Sequence, residues 1–425
     1  MFETIHPAEA VSGAIRLPGD KSISHRWAMI AGIAEGKTTI HGFATGEDCH
    51  STLGILQALG IPVEDRGSEV IIEGRGLDGL RAPAGMLDAG NSGSTIRMMS
   101  GILAAQPFVS RIHGDESLAK RPMQRIMTPL QLMGAQIEAT NGKYPPLTIT
   151  GSQLKAIDYT PAVASAQVKT CILFAGLYCQ GETIVREPVK TRDHTELALR
   201  MFGADLRTVG PVIILQGRPR LEAKELTVPG DLSSSAFFLS AALMARQSNL
   251  VIGGVGLNPT RTALLDYLVS IGAEIKILNV GEQHGELVGD ILVRGSVKRP
   301  GQITGALTAA LIDEIPTLAV LGAATEGIDV RDAAELRVKE TDRIATVAEN
   351  MKRAGIRMEV REDGFTIPGH QKFHAAAFDS FGDHRIAMAF AVAGLSADRP
   401  STIERAEAAS VSFPEFYDTL RRITS

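Results

Sequence analysis

Apolar and polar positions along this chain follow two interleaved rhythms. Five helical stretches end alike: LGIPVE at Gly60, MGAQIE at Gly134, FGADLR at Gly203, IGAEIK at Gly272 and AGIRME at Gly355. Those glycines lie 74, 69, 69 and 83 residues apart. A glycine there suits a helix C-terminus, where a left-handed backbone carries no Cβ penalty. The alternating residues that follow read as a strand. Each strand turns back into a second one that closes on Gly74, Gly151, Gly217, Gly295 or Gly369. A second series places short polar clusters before apolar helices rich in small residues, at Ser22, Ser94, Ser165, Ser234, Asp313 and Asp383. Their spacings are 72, 71, 69, 79 and 70 residues. A sixth copy of the first helix begins near Pro414. Two series in one phase predict an α/β fold of six repeated units, each with two helices and about four strands.

Length and composition narrow this picture. The 425 residues exceed the about 250–300 at which one core stops growing, so two domains are expected. The formal net charge of −5 argues against nucleic acid, whose binders are usually basic. No apolar run approaches the about 20 residues needed to span a bilayer. The start MFETIHPAEAVSG lacks the basic-then-apolar pattern of a signal peptide. Cys49, Cys171 and Cys179 are odd in number and lack metal-ligand spacing. A reduced cytoplasm and no metal are the expectation.

The chemistry gathers at the helix starts of the second series. Such ends carry unpaired N–H groups and about half a positive charge, which suits anions. Ser, Asp and Asn there are ordinary caps. Cations beside them oppose the macrodipole, yet Lys21, Arg26, Arg97, Lys169 and Arg385 stand there. An anionic ligand accounts for them better than stability does. In VKETDR, Lys339 and Arg343 are four apart, so on a helix they share a face, with Glu340 between them. A surface salt-bridge ladder is the competing reading of that segment. Arg121 precedes Pro122, read as a helix-start proline. Lys21, Arg26, Arg97, Arg121, Arg192, Lys339, Arg343 and Arg385 are enough for two phosphates and a carboxylate. AGIAEGKT from Ala31 to Thr38 fits a relaxed phosphate-loop pattern, but its helix precedes the loop and its strand follows, the reverse of the required order. Gly36 is read as a turn and Lys37 as solvent-facing.

Together these segments resemble the EPSP synthases. LPGDKSISHR (Leu17 to Arg26) resembles the family's first signature, and GNSGSTIR (Gly90 to Arg97) its LxxGNxGTxxR signature. KRP at Lys120, ASAQVK at Ala164, TRDHTE at Thr191, RVKETDR at Arg337 and GDHRIAM at Gly382 follow in family order. ASAQVK and TRDHTE look like the bacterial branch called class II. The resemblance covers essentially the whole chain. It implies two similar domains, each with three βαβαββ units about a pseudo-threefold axis, an inside-out α/β barrel. It implies a first domain of residues 1–18 and 230–425, with Asp313, Glu340 and Arg385. The inserted domain, residues 19–229, has Lys21, Arg121 and Gln167. The active site is expected in the cleft between them.

The resemblance also implies roles. Lys21, Ser22, Arg26, Ser165, Ala166, Gln167, Arg192, Asp313 and Lys339 would hold shikimate 3-phosphate. Lys21, Asn91, Gly93, Arg121, Gln167, Arg343 and Arg385 would hold phosphoenolpyruvate. Asp313 would act as base on the attacking 5-hydroxyl and Glu340 as the acid at the methylene carbon, with Lys21 also placed for proton transfer. Neither metal nor organic cofactor is implied, a monomer is expected, and glyphosate should compete with the donor. The chain departs from the pattern at Val411, Ser94, His194 and Ala166, which stand where other members carry lysine, threonine, tyrosine and serine. The nearest rival is the enolpyruvyl transferase acting on UDP-N-acetylglucosamine, which shares fold and donor. Its reactive lid cysteine has no counterpart near Arg121, and Lys21-Ser22 stands where it has lysine-asparagine. A non-catalytic repeat scaffold predicts loss of Asp313, Glu340 or the arginines, and all are present.

Overall fold

The helices of the second series are dominated by apolar and small residues around most of their circumference, which suits an enclosed position. The structure, a computed structural model, describes residues 1–424 and encloses all six. They span Lys21–Ile33, Gly93–Leu103, Ala166–Gly176, Leu232–Met244, Ile315–Ala324 and His384–Leu395. The first series forms half-buried helices at Glu47–Ala58, Gln124–Leu132, His194–Met201, Ala263–Ser270, Arg343–Arg353 and Phe416–Ile423. The five glycines that end this series have φ between +75° and +106°. That is the left-handed conformation the sequence assigns to them.

Six small sheets complete the repeats, five with four strands and one with three. Each four-stranded sheet has one parallel pairing at an edge, followed by antiparallel neighbours. Leu87–Asp88 runs parallel to Val109–His113, which is antiparallel to Tyr144–Thr150, and that strand pairs with Gln136–Thr140. The three-stranded sheet takes an antiparallel strand from the N-terminus: Phe2–Ile5 pairs with Ser401–Glu404.

The chain forms two compact units. One comprises Met1–Pro18, Pro229–Glu282 and Leu287–Ser425, and the other Gly19–Val228 with the hairpin turn Gln283–Glu286. A parallel pairing between segments distant in sequence closes each. Ala10–Arg16 lies parallel to Gln247–Gly256 in the first, and Glu225–Thr227 parallel to Glu35–His41 in the second. Each unit has its own apolar core.

Some local readings are corrected. The caps of the first, second and fourth buried helices are Asp20, Ser92 and Asp231, ahead of Ser22, Ser94 and Ser234. These earlier side chains accept from Ile23, Thr95 and Ser233 N–H, and the later serines fall inside the helix. Gly36 is not a turn but a strand residue paired with Gly74, at φ +104°. Pro122 lies before the Met123 cap rather than at the helix start. VKETDR is not one helix. A 3₁₀ turn ends at Val338, Lys339 is extended, and Asp342 caps the helix that starts at Arg343 by accepting from Ala345 N–H.

In the second unit, two buried helices meet at Gly101, where an added Cβ would lie 2.1 Å from the Cys171 carbonyl oxygen. Alanine gains about 1 kcal/mol in helix propensity over glycine. The methyl has no flexible neighbour to displace, and overpacking of this kind costs typically about 1–3 kcal/mol, or more where backbone must move. Gly101→Ala should therefore lower the denaturation midpoint at unchanged slope. An unchanged or higher midpoint would mean that the two helices do not meet there.

Candidate active site

The second unit gathers its candidates around the starts of its three buried helices. Lys21 opens the first, and its Nζ lies 2.7 Å from Asp48 Oδ2. Asp48, in the first turn of Glu47–Ala58, offsets a cation that the helix dipole disfavours. Arg192 NH1 lies 3.4 Å from Ser22 Oγ. Arg97 NH1 donates to Gln167 Oε1 at 2.8 Å, and Gln167 Nε2 donates to Ser94 Oγ at 3.0 Å. Those two bonds tie the second helix start to the third. Arg121 NH2 donates to Asn91 Oδ1 at 3.2 Å, and Asn91 Nδ2 donates to Asp115 Oδ2 at 2.6 Å. Gly93 opens its helix where a Cβ would be 2.7 Å from Arg97 NH1 and 3.4 Å from Arg121 NH1. Ser165 caps the third helix, accepting from Val168 N–H, and Ala166 follows it.

Three second-unit residues take firmer structural places than the sequence suggests. Arg26 is buried, with Nε donating to Thr195 Oγ1 (2.7 Å), NH2 to Thr170 Oγ1 (3.1 Å) and NH1 to the Ser22 carbonyl (2.8 Å). It staples three helices together. Lys169, counted among the cap cations, is buried with Nζ 3.0 Å from Glu187 and 2.7 Å from Glu196. Burial pushes the Glu196 carboxyl up, and Lys169 offsets only part of that. Glu187 also accepts from Thr191 N–H, so this cluster fixes the loop that carries Arg192. His194 is buried, and its Nδ1 lies 2.6 Å from Glu286 Oε1 in the hairpin turn.

The first unit gathers its candidates in the same way. Asp313 Oδ1 is 3.3 Å from Lys339 Nζ and 3.6 Å from Arg343 NH1. Lys339 and Arg343 thus meet on one carboxylate although they share no helix. Arg343 is 1% exposed; its NH2 donates to Glu340 Oε2 at 2.6 Å and its Nε to Asp383 Oδ2 at 2.8 Å. Its NH1 has no hydrogen-bond acceptor among the described residues. Arg385 NH1 donates to the Asp313 carbonyl at 2.7 Å. Burial alone would push the Asp383 carboxyl up, but the Arg343 guanidinium outweighs it and holds it below the ordinary range. Burial likewise opposes the Arg343 charge, and Asp383 and Glu340 overcome that and raise its pKa.

Sequence reasoning missed the counter-charges. Asp48, Glu314 and Arg261 are not in its candidate set, and Asp383 is read there only as a cap. The repeat held a signal for Arg261, which lies eleven residues before Gly272 as Arg192 lies eleven before Gly203. Among the described residues, no three His, Cys, Asp or Glu side chains gather as metal ligands.

The Arg343–Asp383 pair makes a stability prediction. Removing one partner of a buried pair typically costs about 3–5 kcal/mol. Arg343 keeps Glu340, so Asp383→Asn should lose about 3 kcal/mol at neutral pH. A carboxyl whose folded pKa is depressed contributes above its unfolded value, about 3.9, and loses that contribution as pH falls through the lower folded value. Denaturant titrations should show the gap between wild type and variant narrowing below about pH 4. A gap constant down to pH 2 would show that Asp383 is not held ionised by Arg343.

Known proteins resemble this chain over its full length. The family model described as EPSP synthase (3-phosphoshikimate 1-carboxyvinyltransferase) matches residues 5–420. A protein of Solibacter usitatus named 3-phosphoshikimate 1-carboxyvinyltransferase is 64% identical over 424 residues, covering 100% of both chains. One of the same name from Koribacter versatilis is 50% identical, covering 99% of this chain and 98% of its own. The solved EPSP synthase of Acinetobacter baumannii superposes with a TM-score of 0.88 at 43% identity, covering 100% of this chain and 98% of its own. NikO, an enolpyruvyl transferase of Streptomyces tendae, shares the fold at a TM-score of 0.79 and 19% identity, covering 99% of this chain and 96% of its own. With its repeats, its signatures and full-length relatives in accord, this chain belongs to the EPSP synthase family.

Proposed function

We propose that this chain moves the enolpyruvyl group of phosphoenolpyruvate onto the 5-hydroxyl of shikimate 3-phosphate, releasing phosphate, with the residues gathered above. This is the carboxyvinyl transfer of the shikimate pathway, which leads to chorismate and the aromatic amino acids. The observation that carries the residue assignment is Arg343. It is buried among acids, and its NH1 finds no acceptor in the described chain. A ligand carboxylate or phosphate supplies the missing oxygen.

On this reading Arg343, Arg385, Arg121, Lys21, Asn91, Gly93 and Gln167 hold the donor. Lys21, Ser22, Arg26, Ser165, Ala166, Gln167, Arg192, Asp313 and Lys339 serve the acceptor. Arg26 does so by fixing the backbone of Ser22, since its hydrogen bonds go to protein. Asp313 takes the proton of the attacking hydroxyl while Glu340 protonates the methylene carbon, and a C–O bond forms to the oxocarbenium-like centre. Elimination returns both protons: the methyl carbon gives one back to Glu340, and the departing phosphate keeps the electron pair of its C–O bond and takes the other from Asp313. The arginines stabilise carboxylate and phosphate through both steps. Arg343 NH2 donates to Glu340 Oε2 at 2.6 Å, and on this reading Lys21 is a second group placed for proton transfer. The chain has no helix long and apolar enough to cross a membrane among its described residues. We read it as a cytoplasmic monomer.

Phosphate release from phosphoenolpyruvate should require shikimate 3-phosphate, and UDP-N-acetylglucosamine should not replace it. Asp313→Ala should lower kcat by about 10²–10⁴-fold with a smaller change in KM for the donor. Turnover near wild type with only a lowered melting temperature would reduce Asp313 to a structural residue.

Glyphosate should inhibit competitively with phosphoenolpyruvate, and Gly93 should set its affinity. Gly93 does not occupy the left-handed region, so alanine there is not strained by backbone. Its methyl would instead meet the tips of Arg97 and Arg121, at 2.7 and 3.4 Å. A longer inhibitor held by the same cations tolerates less displacement than the donor. Gly93→Ala should raise the glyphosate inhibition constant by roughly tenfold, equivalent to 1.4 kcal/mol, with a smaller rise in donor KM. Equal losses would remove Gly93 as the selective element, and wild-type insensitivity would overturn the assignment of glyphosate to this site.

A further inference from the structure

The loop that carries Arg192 is tied to a buried ion cluster that no step above uses. Lys169 lies in the first turn of Ala166–Gly176 and is 1% exposed. Its Nζ is 3.0 Å from Glu187 Oε1 and 2.7 Å from Glu196 Oε1. Glu187 follows the strand Glu182–Arg186, and its Oε1 also accepts from Thr191 N–H at 3.0 Å and from Thr191 Oγ1. The chain from Glu187 to Thr191 therefore turns back onto one carboxylate oxygen, a single residue before Arg192. Three residues past Arg192, Thr195 Oγ1 accepts from Arg26 Nε at 2.7 Å and lies 2.6 Å from Thr170 Oγ1. The loop is thus held on both sides of Arg192, whose NH1 lies 3.4 Å from Ser22 Oγ.

Stability alone does not account for the cluster. A buried ion group gains little over apolar side chains of similar volume, because desolvation offsets the attraction. Glu196 shows that cost: burial pushes its carboxyl up, and its Oε2 has no hydrogen-bond partner among the described residues. Charge-assisted bonds do supply direction, which apolar contacts lack, and Glu187 applies that direction to the residue next to Arg192. We propose that Glu187, held by Lys169, is a positioning residue for Arg192: it fixes the backbone at Thr191 so that the guanidinium is in place before shikimate 3-phosphate binds. The inference rests on the reading of Arg192 as an acceptor contact. A loop ordered in advance spends less of the binding energy on ordering.

Glu187→Leu removes both bonds to Thr191 and leaves Lys169 paired with Glu196. Calorimetric titration with shikimate 3-phosphate should show a dissociation constant about tenfold higher than wild type, the loss of two bonds to a charged acceptor. The donor KM should change less than twofold. Glu196→Gln removes a charge from the same cluster but no bond to the loop, so its dissociation constant should stay within about twofold of wild type. An unchanged affinity in Glu187→Leu, or equal losses in Glu187→Leu and Glu196→Gln, overturns the proposal. Arg192→Gln separates the two layers. If it leaves the affinity unchanged, the reading of Arg192 fails and the positioning role with it. If it weakens binding, the double variant decides. A double variant no weaker than Arg192→Gln alone supports the proposal, whereas fully additive losses show that Glu187 does not act through Arg192, and only the positioning role fails. Should Glu187→Leu not fold, Thr191→Val removes one of the two bonds and should weaken binding about threefold; unchanged affinity overturns the proposal.

Discussion

Three buried helices in each unit begin close to one another, and each helix start carries partial positive charge. Neutralising that charge is the constraint on which the rest of the structure depends. Caps answer part of it: Asp20, Ser92, Ser165, Asp231 and Asp383 each accept an N–H of the first turn. Yet Lys21, Arg97 and Arg385 add full positive charges at the same ends. A fold selected for stability alone would place acids there. The opposite choice is sustainable because acids arrive from neighbouring elements: Asp48 at Lys21, and Glu314 at Arg385. Gln167 receives Arg97 with a neutral acceptor instead.

The two units solve this problem differently. In the second unit Arg192, Arg97 and Arg121 meet the hydroxyl of Ser22 and the amides of Gln167 and Asn91, while Lys21 meets Asp48 and Lys169 meets Glu187 and Glu196. In the first unit Asp313, Glu314, Glu340 and Asp383 surround Arg343, Arg385 and Lys339. Charge there is nearly balanced, so an added anion competes with resident carboxylates. Arg343 meets two of these acids directly, Glu340 by NH2 and Asp383 by Nε.

Much of this was legible in the sequence because repetition writes the same physical rule six times. A lone glycine after an amphipathic stretch is ambiguous, but Gly60, Gly134, Gly203, Gly272 and Gly355 recur in phase and all prove left-handed. The apolar helices were legible for a similar reason: full burial leaves no polar face to disguise them. Exact caps were not, since Asp20 and Ser22 both suit a cap and only backbone geometry chooses. VKETDR misled because Lys339 and Arg343 at four-residue spacing imitate a helix face. They meet instead because a turn at Val338 and a cap at Asp342 bring both to Asp313. Lys169 misled because a cation near a cap reads the same whether a ligand or Glu187 and Glu196 receive it. Partners this far apart in sequence cannot be read from spacing.

Repetition also explains how chemistry diversified on one framework. Arg121, Arg192, Arg261 and Arg343 stand thirteen, eleven, eleven and twelve residues before the glycines that end their helices. The first repeat holds Asp48 at the corresponding place, twelve before Gly60. One position, at the start of the half-buried helix and beside the buried helix ends, thus supplies arginine four times and aspartate once. What each does depends on its neighbours. Arg343 lies among three acids, Arg121 meets Asn91 and Ser117, Arg192 meets Ser22, and Arg261 meets Ser233 and Asp231. Asp48 inverts the sign because its own repeat places Lys21 at the buried helix start. Function in this fold is therefore set less by the position, which the repeat duplicates, than by the pairing, which each repeat alters separately.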